Sequence, residues 1–243
     1  MAESSAESSP GSSAVQAIEV SRTYRAGRVR GLASVSLTVA PGEVVAVMGP
    51  SGSGKSTLLQ ILGGLDDPDE GRALVTGVDW RTLHGRARAR FRRRTCGFIT
   101  QSMSLLAPAT AAENVEVPLL LDKVRADERR RRTDEALDSV GLADSWAKLP
   151  DQLSGGQQQR VAIARALVTD PAVLLADEPT GSLDSETAEA VTRLLVDAAG
   201  ERGAAVVLVT HDPAIAAYAS RLVTLHSGHL ESTADPRTPE GVG

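Results

Sequence analysis

The sequence predicts an α/β domain: a core of buried strands joined by helices, antiparallel strands toward the N-terminus and a helical insert in the middle. Three observations carry that expectation. Val44–Met48, Ala172–Ala176 and Ala204–Val209 are short, wholly apolar runs, the mark of strands buried on both faces. Ala17–Tyr24 and Ser34–Val39 instead alternate, with Val35, Leu37 and Val39 set against Ser34, Ser36 and Thr38, as strands with one wet face do. Between these runs the apolar residues take helical spacing, as in Val191, Leu194, Leu195 and Ala198.

Residues 1–14, Met1 and Pro10 apart, are Ser, Glu, Ala and Gly with almost nothing to bury, and are expected to form a disordered tail. The two alternating strands follow, and the Pro41-Gly42 turn feeds the buried run Val44–Met48. Gly49-Pro50-Ser51-Gly52-Ser53-Gly54-Lys55-Ser56-Thr57 comes next and opens a helical pattern through Leu58, Leu59, Ile61 and Leu62. Buried strand, glycine-rich turn and helix N-terminus together make a phosphate-binding P-loop. The glycines let backbone N–H groups close around phosphate oxygens, and the helix start adds its unpaired N–H groups and its dipole. Lys55 can reach the β- and γ-phosphates, and the Ser56 hydroxyl can ligate Mg²⁺. A kinase, a GTPase, a motor and a transporter ATPase all remain open at this point. Tyr24, upstream of the loop and after a strand, is either a flat platform under a nucleotide base or an ordinary edge tyrosine.

Beyond the P-loop helix, Asp66–Gly71 makes a turn and Ala73–Thr76 a strand. Seven arginines with no acidic residue lie between Arg81 and Arg94. They read as a patch for phosphate, lipid headgroups or an acidic partner, or, by preference, as a solvated helix face paired with carboxylates elsewhere. Cys96–Thr100 is a short strand ending at Gln101. Ser102–Leu121, with Pro108 and Pro118, reads as loop, and a charged helix from Asp127 to Val140 ends at a Gly141 C-cap. Residues 102–158 thus form the helical insert. Leu153-Ser154-Gly155-Gly156-Gln157 leads into a helix through Val161 and Leu167, and Ser185 is expected to cap the helix after the strand Ala172–Ala176. Leu222–Leu230 suits a hairpin around Gly228, and residues 231–243 a flexible tail.

A P-loop needs a second element, a carboxylate at a strand end that holds Mg²⁺. Asp177, after Val173-Leu174-Leu175-Ala176, fills that place, and Glu178 beside it can polarise an attacking water. An isolated Asp-Glu pair would be a solvated turn; next to a P-loop it is a candidate catalytic pair. His211 ends another strand and can face the same site, although a lone histidine is as readily structural.

Gly49–Thr57, Gln101, Leu153–Gln157, Leu174–Glu178, Ser182-Leu183-Asp184 and His211 occur in the order found in ATP-binding cassette (ABC) ATPases, and the chain resembles that family from about Val15 to Leu230. The resemblance implies a single ABC ATPase domain over residues 15–230, with a P-loop NTPase core, an antiparallel β-subdomain and an inserted α-helical subdomain. It implies that Tyr24 stacks on adenine, that Gln101 links Mg²⁺ to the partner-facing insert, that Glu178 is the catalytic base, that His211 is the switch histidine and that Asp184 reaches across a dimer interface. Ser154, Gly155, Gly156 and Gln157 form the signature, which offers a hydroxyl, bare N–H groups and a helix start to an anion. If P-loop and signature lie on different sides of one chain, a head-to-tail homodimer with two sandwiched ATPs satisfies both.

Gly63-Gly64-Leu65-Asp66, Ala112–Leu119, Ser154–Arg160 and Asp177–Ser185 resemble the branch of macrolide exporters, lipoprotein-release ATPases and the cell-division ATPase paired with a permease-like protein. Thr100 and Cys96 depart from that branch, where an aromatic and an aliphatic residue are usual. The function implied is the ATP-hydrolysing subunit of a transporter whose permease is a separate chain. The alternatives are an ATPase driving a permease-like protein that transmits force without transport, and a soluble cassette ATPase of DNA repair, translation or cofactor assembly. The permease contact is expected along Ser102–Leu121, on Met103, Leu105, Leu106, Val115, Val117 and Leu119.

Composition narrows the partners. Hydrophobic residues make up 42% of the chain and aromatics only 2%, so the core must be built from Val, Leu, Ile and Ala. A net charge of −5 argues against general nucleic-acid binding. One cysteine and four scattered histidines offer neither a disulfide nor zinc-ligand spacing, leaving Mg²⁺ as the expected metal. With neither a membrane-length apolar run nor a secretory leader, a cytoplasmic protein is expected, held peripherally at the membrane by its permease.

Overall fold

The computed structural model describes residues 13–24 and 29–234. In chain order the elements are β1 (Val15–Tyr24), β2 (Val29–Val39), β3 (Val44–Met48), α1 (Lys55–Leu62), β4 (Glu70–Val75), β5 (Val78–Asp79), α2 (Gly85–Thr95), β6 (Cys96–Thr100), α3 (Ala111–Leu121), α4 (Ala126–Ser139), α5 (Gly155–Leu167), β7 (Val173–Asp177), α6 (Ser185–Gly200), β8 (Ala205–Val209), α7 (Pro213–Ala216), β9 (Arg221–His226) and β10 (His229–Ala234). The apolar runs become the central strands because, at five or six residues, they are too short for a stable helix, and pairing in a sheet satisfies their backbone while burying side chains on both faces.

Two sheets form. An antiparallel sheet has the order β2-β1-β4-β5, and a six-stranded sheet the order β10-β9-β3-β8-β7-β6. All neighbours in the larger sheet are parallel except the β9–β10 hairpin at its edge. Strand alternation divides the interior. Val45, Val47, Leu175 and Val207 pack with Leu58, Ile61 and Leu62 of α1 and with the antiparallel sheet. Ala46, Leu174, Ala176 and Leu208 pack with Val161, Ile163 and Leu167 of α5 and with Val191 and Leu195 of α6. Val115, Leu119 and Leu137 of the insert belong to that second cluster, so the insert shares the core's apolar interior.

Register decides where function can sit. Thr100 pairs with Asp177, Asp177 with Val209, and Val47 with Val209. The residues that follow β3, β6, β7 and β8 therefore leave one edge of the sheet together, the carboxyl edge where open α/β sheets bind ligands.

Several expectations need correction. Ser102–Leu121 is not loop throughout: Thr110 and Glu113 form a capping box that starts α3, which runs to Leu121 with Pro118 inside it. The proline gives up one ladder hydrogen bond, but Val115 and Leu119, at 0% and 1% exposure, hold the helix by burial. Asp184, not Ser185, caps α6, its carboxylate accepting the Thr187 N–H at 3.0 Å. Helix α5 continues past residue 158, the expected end of the insert, and packs on both the insert helices and β6. Ordered structure reaches into both expected tails. Ala14 is buried and donates its N–H to Val39, and β10 extends to Ala234; residues 1–12 and 235–243 of the expected tails lie outside the described residues. Among the seven arginines, Arg81 pairs with Asp79, Arg88 with Asp67, and Arg93 and Arg94 with Asp122, while Arg92 donates to the Gly64 carbonyl.

Candidate active site

At the carboxyl edge of the sheet, a cleft of ≈ 660 Å³ is lined by Tyr24, Arg30, Gly31, the P-loop, Gln101, Asp177, Glu178 and His211. Its floor is the P-loop. Gly49, Gly52 and Gly54 all have positive φ, and a Cβ at Gly49 or Gly54 would lie 2.0 Å from the Leu225 carbonyl oxygen or 2.1 Å from that of Gly31. Only glycine permits that closeness. Helix α1 starts at Gly54 with no side-chain cap, so its first N–H groups have no capping side chain competing for them. Lys55 Nζ arches over the loop and donates to the carbonyls of Gly49 at 2.7 Å and Pro50 at 3.0 Å. Positive charge, free N–H groups and the helix dipole converge there, which is the requirement for binding a polyphosphate.

Pro50, Ser51, Ser56 and Thr57 line the cleft with the glycines, but Ser53 does not. Ser53 is 3% exposed, its hydroxyl has no hydrogen-bond partner among the described residues, and its carbonyl accepts the Gly228 N–H from the β9–β10 turn. Its place is behind the loop, where the hairpin props it.

Asp177 ends β7 and Glu178 follows with φ +48°, a left-handed conformation that few non-glycine residues adopt. The Glu178 N–H donates to the Val209 carbonyl, which anchors the bend, and Glu178 Oε1 lies 2.9 Å from His211 Nδ1. The glutamate is thus aimed from the end of β7 across the mouth of β8. Gln101, exposed, approaches Gly181 on the same rim. Behind it, Met103 and Ser104 have φ +57° and +48°, and their carbonyls accept two hydrogen bonds from Arg165 of α5, at 2.7 and 2.8 Å. Burial pushes the Arg165 guanidinium below its usual range, and those two carbonyls are what it has gained.

Ser154, Gly155, Gly156, Gln157 and Asp184 do not line the cleft. They form a second cluster at the starts of α5 and α6. Ser154 Oγ accepts the Gln157 N–H at 3.3 Å while Gln157 Oε1 accepts the Ser154 N–H at 3.0 Å, closing a capping box. Among the described residues the Ser154 hydroxyl donates to no acceptor, so its proton can serve one outside the chain. A Cβ on Gly156 would meet the Thr187 methyl at 2.6 Å, so the signature is pressed against the helix that Asp184 caps. The Thr187 N–H holds the Asp184 carboxyl below its usual range. Arg30 and Gly31 were not foreseen as site residues. They precede the alternating run by which β2 was read, and only the pairing of β1 with β2 carries them to the cleft.

The described residues hold no cluster of three or more His, Cys, Asp or Glu able to bind a metal alone. The Ser56 hydroxyl, the Gln101 amide and the Asp177 carboxylate share the cleft with the phosphate floor. That is an oxygen donor set suited to Mg²⁺ completed by phosphate and water.

A profile of the ABC transporter family matches residues 32–181. The chain belongs to this family. It is 47% identical over 220 residues to the lipoprotein-releasing system ATP-binding protein LolD of Bordetella pertussis, a match covering 90% of this chain and 95% of LolD. It is 48% identical to the macrolide export ATP-binding/permease protein MacB of Salmonella typhi, covering 87% of this chain but only 33% of MacB. Among solved structures, the dimeric post-hydrolysis state of the ATP-binding cassette MJ0796 bound to ADP and Pi superposes with a TM-score of 0.83 at 41% identity, covering 92% of this chain and 99% of that one. The cbiO1 protein of Clostridium perfringens gives 0.85 at 30% identity, over 93% of this chain and 90% of that one. As an ABC cassette the chain is an ATP-binding and ATP-hydrolysing transporter subunit.

Proposed function

We propose that the cassette works as a head-to-tail homodimer that closes on two Mg-ATP molecules and drives a separately encoded membrane permease. The observation that carries this reading is the division of its anion-binding groups. The P-loop and Glu178 line one cleft, while the signature serine, with a hydroxyl proton to spare, lies outside it. A second copy supplies the missing half, and the MJ0796 relative is dimeric with ADP and Pi bound.

In each site Lys55 and the N–H groups of the P-loop hold the β- and γ-phosphates, and Tyr24 supports the base. Ser56, Gln101 and Asp177 would hold Mg²⁺, which neutralises charge between the phosphates when bound. Glu178 takes a proton from the water that attacks the γ-phosphorus, and His211, hydrogen-bonded to its carboxylate, fixes the direction of that base. Phosphate release then removes the contact that bridges the two copies.

The permease is assigned to a groove of ≈ 360 Å³ between α2, β6, α3 and α5, where Arg93, Phe98, Val117, Pro118 and Leu121 meet. Of the six apolar residues expected there, Val115 and Leu119 are core residues, Leu106 is exposed and only Val117 lines the groove; Leu120 and Leu121, which that expectation did not name, are exposed at 55% and 60%. No described helix is long and apolar enough to cross a membrane, and LolD and MacB carry export or release systems in their names.

Mixing two inactive variants tests the arrangement. Lys55→Ala spoils the P-loop and Ser154→Arg the signature; a heterodimer of the two has one site with both halves intact. Hydrolysis should return on mixing. Two variants that stay inactive together, while each folds and dimerises, would mean that P-loop and signature act within one chain.

A further inference from the structure

The chemistry above leaves Gly63-Gly64-Leu65-Asp66 without a task. Its glycines are there for space. A Cβ on Gly63 would lie 2.3 Å from the Phe98 ring, and one on Gly64, where φ is +65°, 2.5 Å from Trp80. The chain can therefore end α1 against two aromatic rings and fold back at once, with the Leu65 and Asp66 N–H groups donating to the Gln60 carbonyl. The turn delivers the Asp66 side chain to Tyr24.

Asp66 there accepts from three side-chain donors. Tyr24 Oη donates at 2.8 Å, and Arg22 donates through Nε at 3.0 Å and Nη2 at 2.8 Å. Arg22 is tied in turn to Asp69 at 2.7 Å, and its guanidinium carbon stands 5.0 Å from the centre of the Tyr24 ring. On another side the ring abuts Gly31, where a Cβ would come within 3.0 Å of Cε2. A charge-assisted hydrogen bond at the tip, a cation over the ring and backbone at the edge leave the tyrosine little rotational freedom.

We infer that Asp66 is a positioning residue for nucleotide-base recognition: it locks the Tyr24 ring as a preformed platform at the cleft. The inference rests on the reading of Tyr24 as the support for the base. A platform already fixed does not pay the cost of ordering when the base stacks, so the lock appears as base-dependent affinity and not as rate. Helix α1 then serves both ends of the nucleotide, its N-terminus taking the phosphates and the turn after its C-terminus holding the aromatic ring.

The test compares MgATP with Mg-tripolyphosphate, a probe that has the phosphates and no base. Asp66→Ala should raise the KM for ATP about tenfold while kcat stays within about twofold and the inhibition constant of tripolyphosphate is unmoved. Tyr24→Phe, which keeps the ring and drops the hydroxyl, should do the same, and the double variant should be no worse than either. Asp66→Asn, retaining an acceptor, should recover part of the loss. Equal weakening of ATP and tripolyphosphate would make Asp66 a scaffold of α1 and overturn the inference. An unchanged ATP KM in both Asp66→Ala and Tyr24→Phe, with Tyr24→Ala impaired, would overturn it while sparing the platform; an unimpaired Tyr24→Ala would remove the platform as well. None of these results bears on the dimer, which the mixing experiment decides separately.

Discussion

Glu178 Oε1 and His211 Nδ1 stand 2.9 Å apart although the residues leave different strands, one directly after β7 and the other just beyond β8. The left-handed bend at Glu178 and its N–H bond to Val209 place the carboxylate before any substrate arrives. As the proposed base, a carboxylate held this way would spend no binding energy on its own orientation.

Glu178→Gln should slow ATP hydrolysis roughly 10²–10⁴-fold. Lys55, Ser56 and Asp177 are untouched, so ATP binding should persist and the protein should elute as a dimer with Mg-ATP in gel filtration. Hydrolysis at the unaltered rate would transfer the role of base to another group, with His211 the next to test. His211→Ala should be milder, because it removes the hydrogen-bond partner of Glu178 and leaves the proposed base itself.

Leu121→Glu should leave basal ATPase activity intact and abolish the response to the permease, measured by co-purification and stimulated hydrolysis. Leu121 is 60% exposed at the groove, so a charge there costs little folding stability. Loss of basal activity would mean that this part of α3 serves the fold and not a partner.

Gln159→Met should leave thermal stability unchanged or raise it. Gln159 is fully buried on α5, and neither its amide oxygen nor its nitrogen has a partner among the described residues. Burying an unpaired amide costs roughly 1–3 kcal/mol, which a thioether of similar shape avoids. A lower melting temperature would mean that the amide is satisfied in solution.

Burial pushes the Cys96 thiol up to about 12. Native protein at pH 8 should therefore resist iodoacetamide and react only on unfolding. The sign follows from linkage: the folded form keeps its proton where the unfolded thiol has lost it, so the contribution of Cys96 to stability is complete below pH ~8.5 and is lost as pH rises toward 12. Cys96→Ala should remove that part of the alkaline decline in melting temperature. Rapid alkylation of folded protein at pH 8 would contradict the burial.

What was readable from the chain was local. The bounds of β3 and β6 coincide with the runs Val44–Met48 and Cys96–Thr100, because a strand buried on both faces needs an unbroken apolar run and the chain shows one. Pro118 misled, because a proline marks a helix end only where tertiary burial does not outweigh one lost hydrogen bond. Ser185 misled because Asp184, equally able to cap, stands immediately before it. Strand order and the Tyr24–Asp66 contact, spanning 42 residues, depend on long-range pairing that no local pattern encodes.

Helix α5 runs from Gly155 to Leu167 with the signature at its head and, near its foot, Arg165 gripping the carbonyls of Met103 and Ser104 just beyond Gln101. Thirteen residues make a stiff rod of about 20 Å, and a tilt of about 5° displaces one end by nearly 2 Å relative to the other. In the proposed dimer the helix is therefore a lever arm between two nucleotide sites: its head would answer to the neighbouring copy's ATP, and its foot is bolted to the loop that carries Gln101. A shift at one end tilts the other, so in that pair the two nucleotides would be geared together through solid backbone, with no messenger between them.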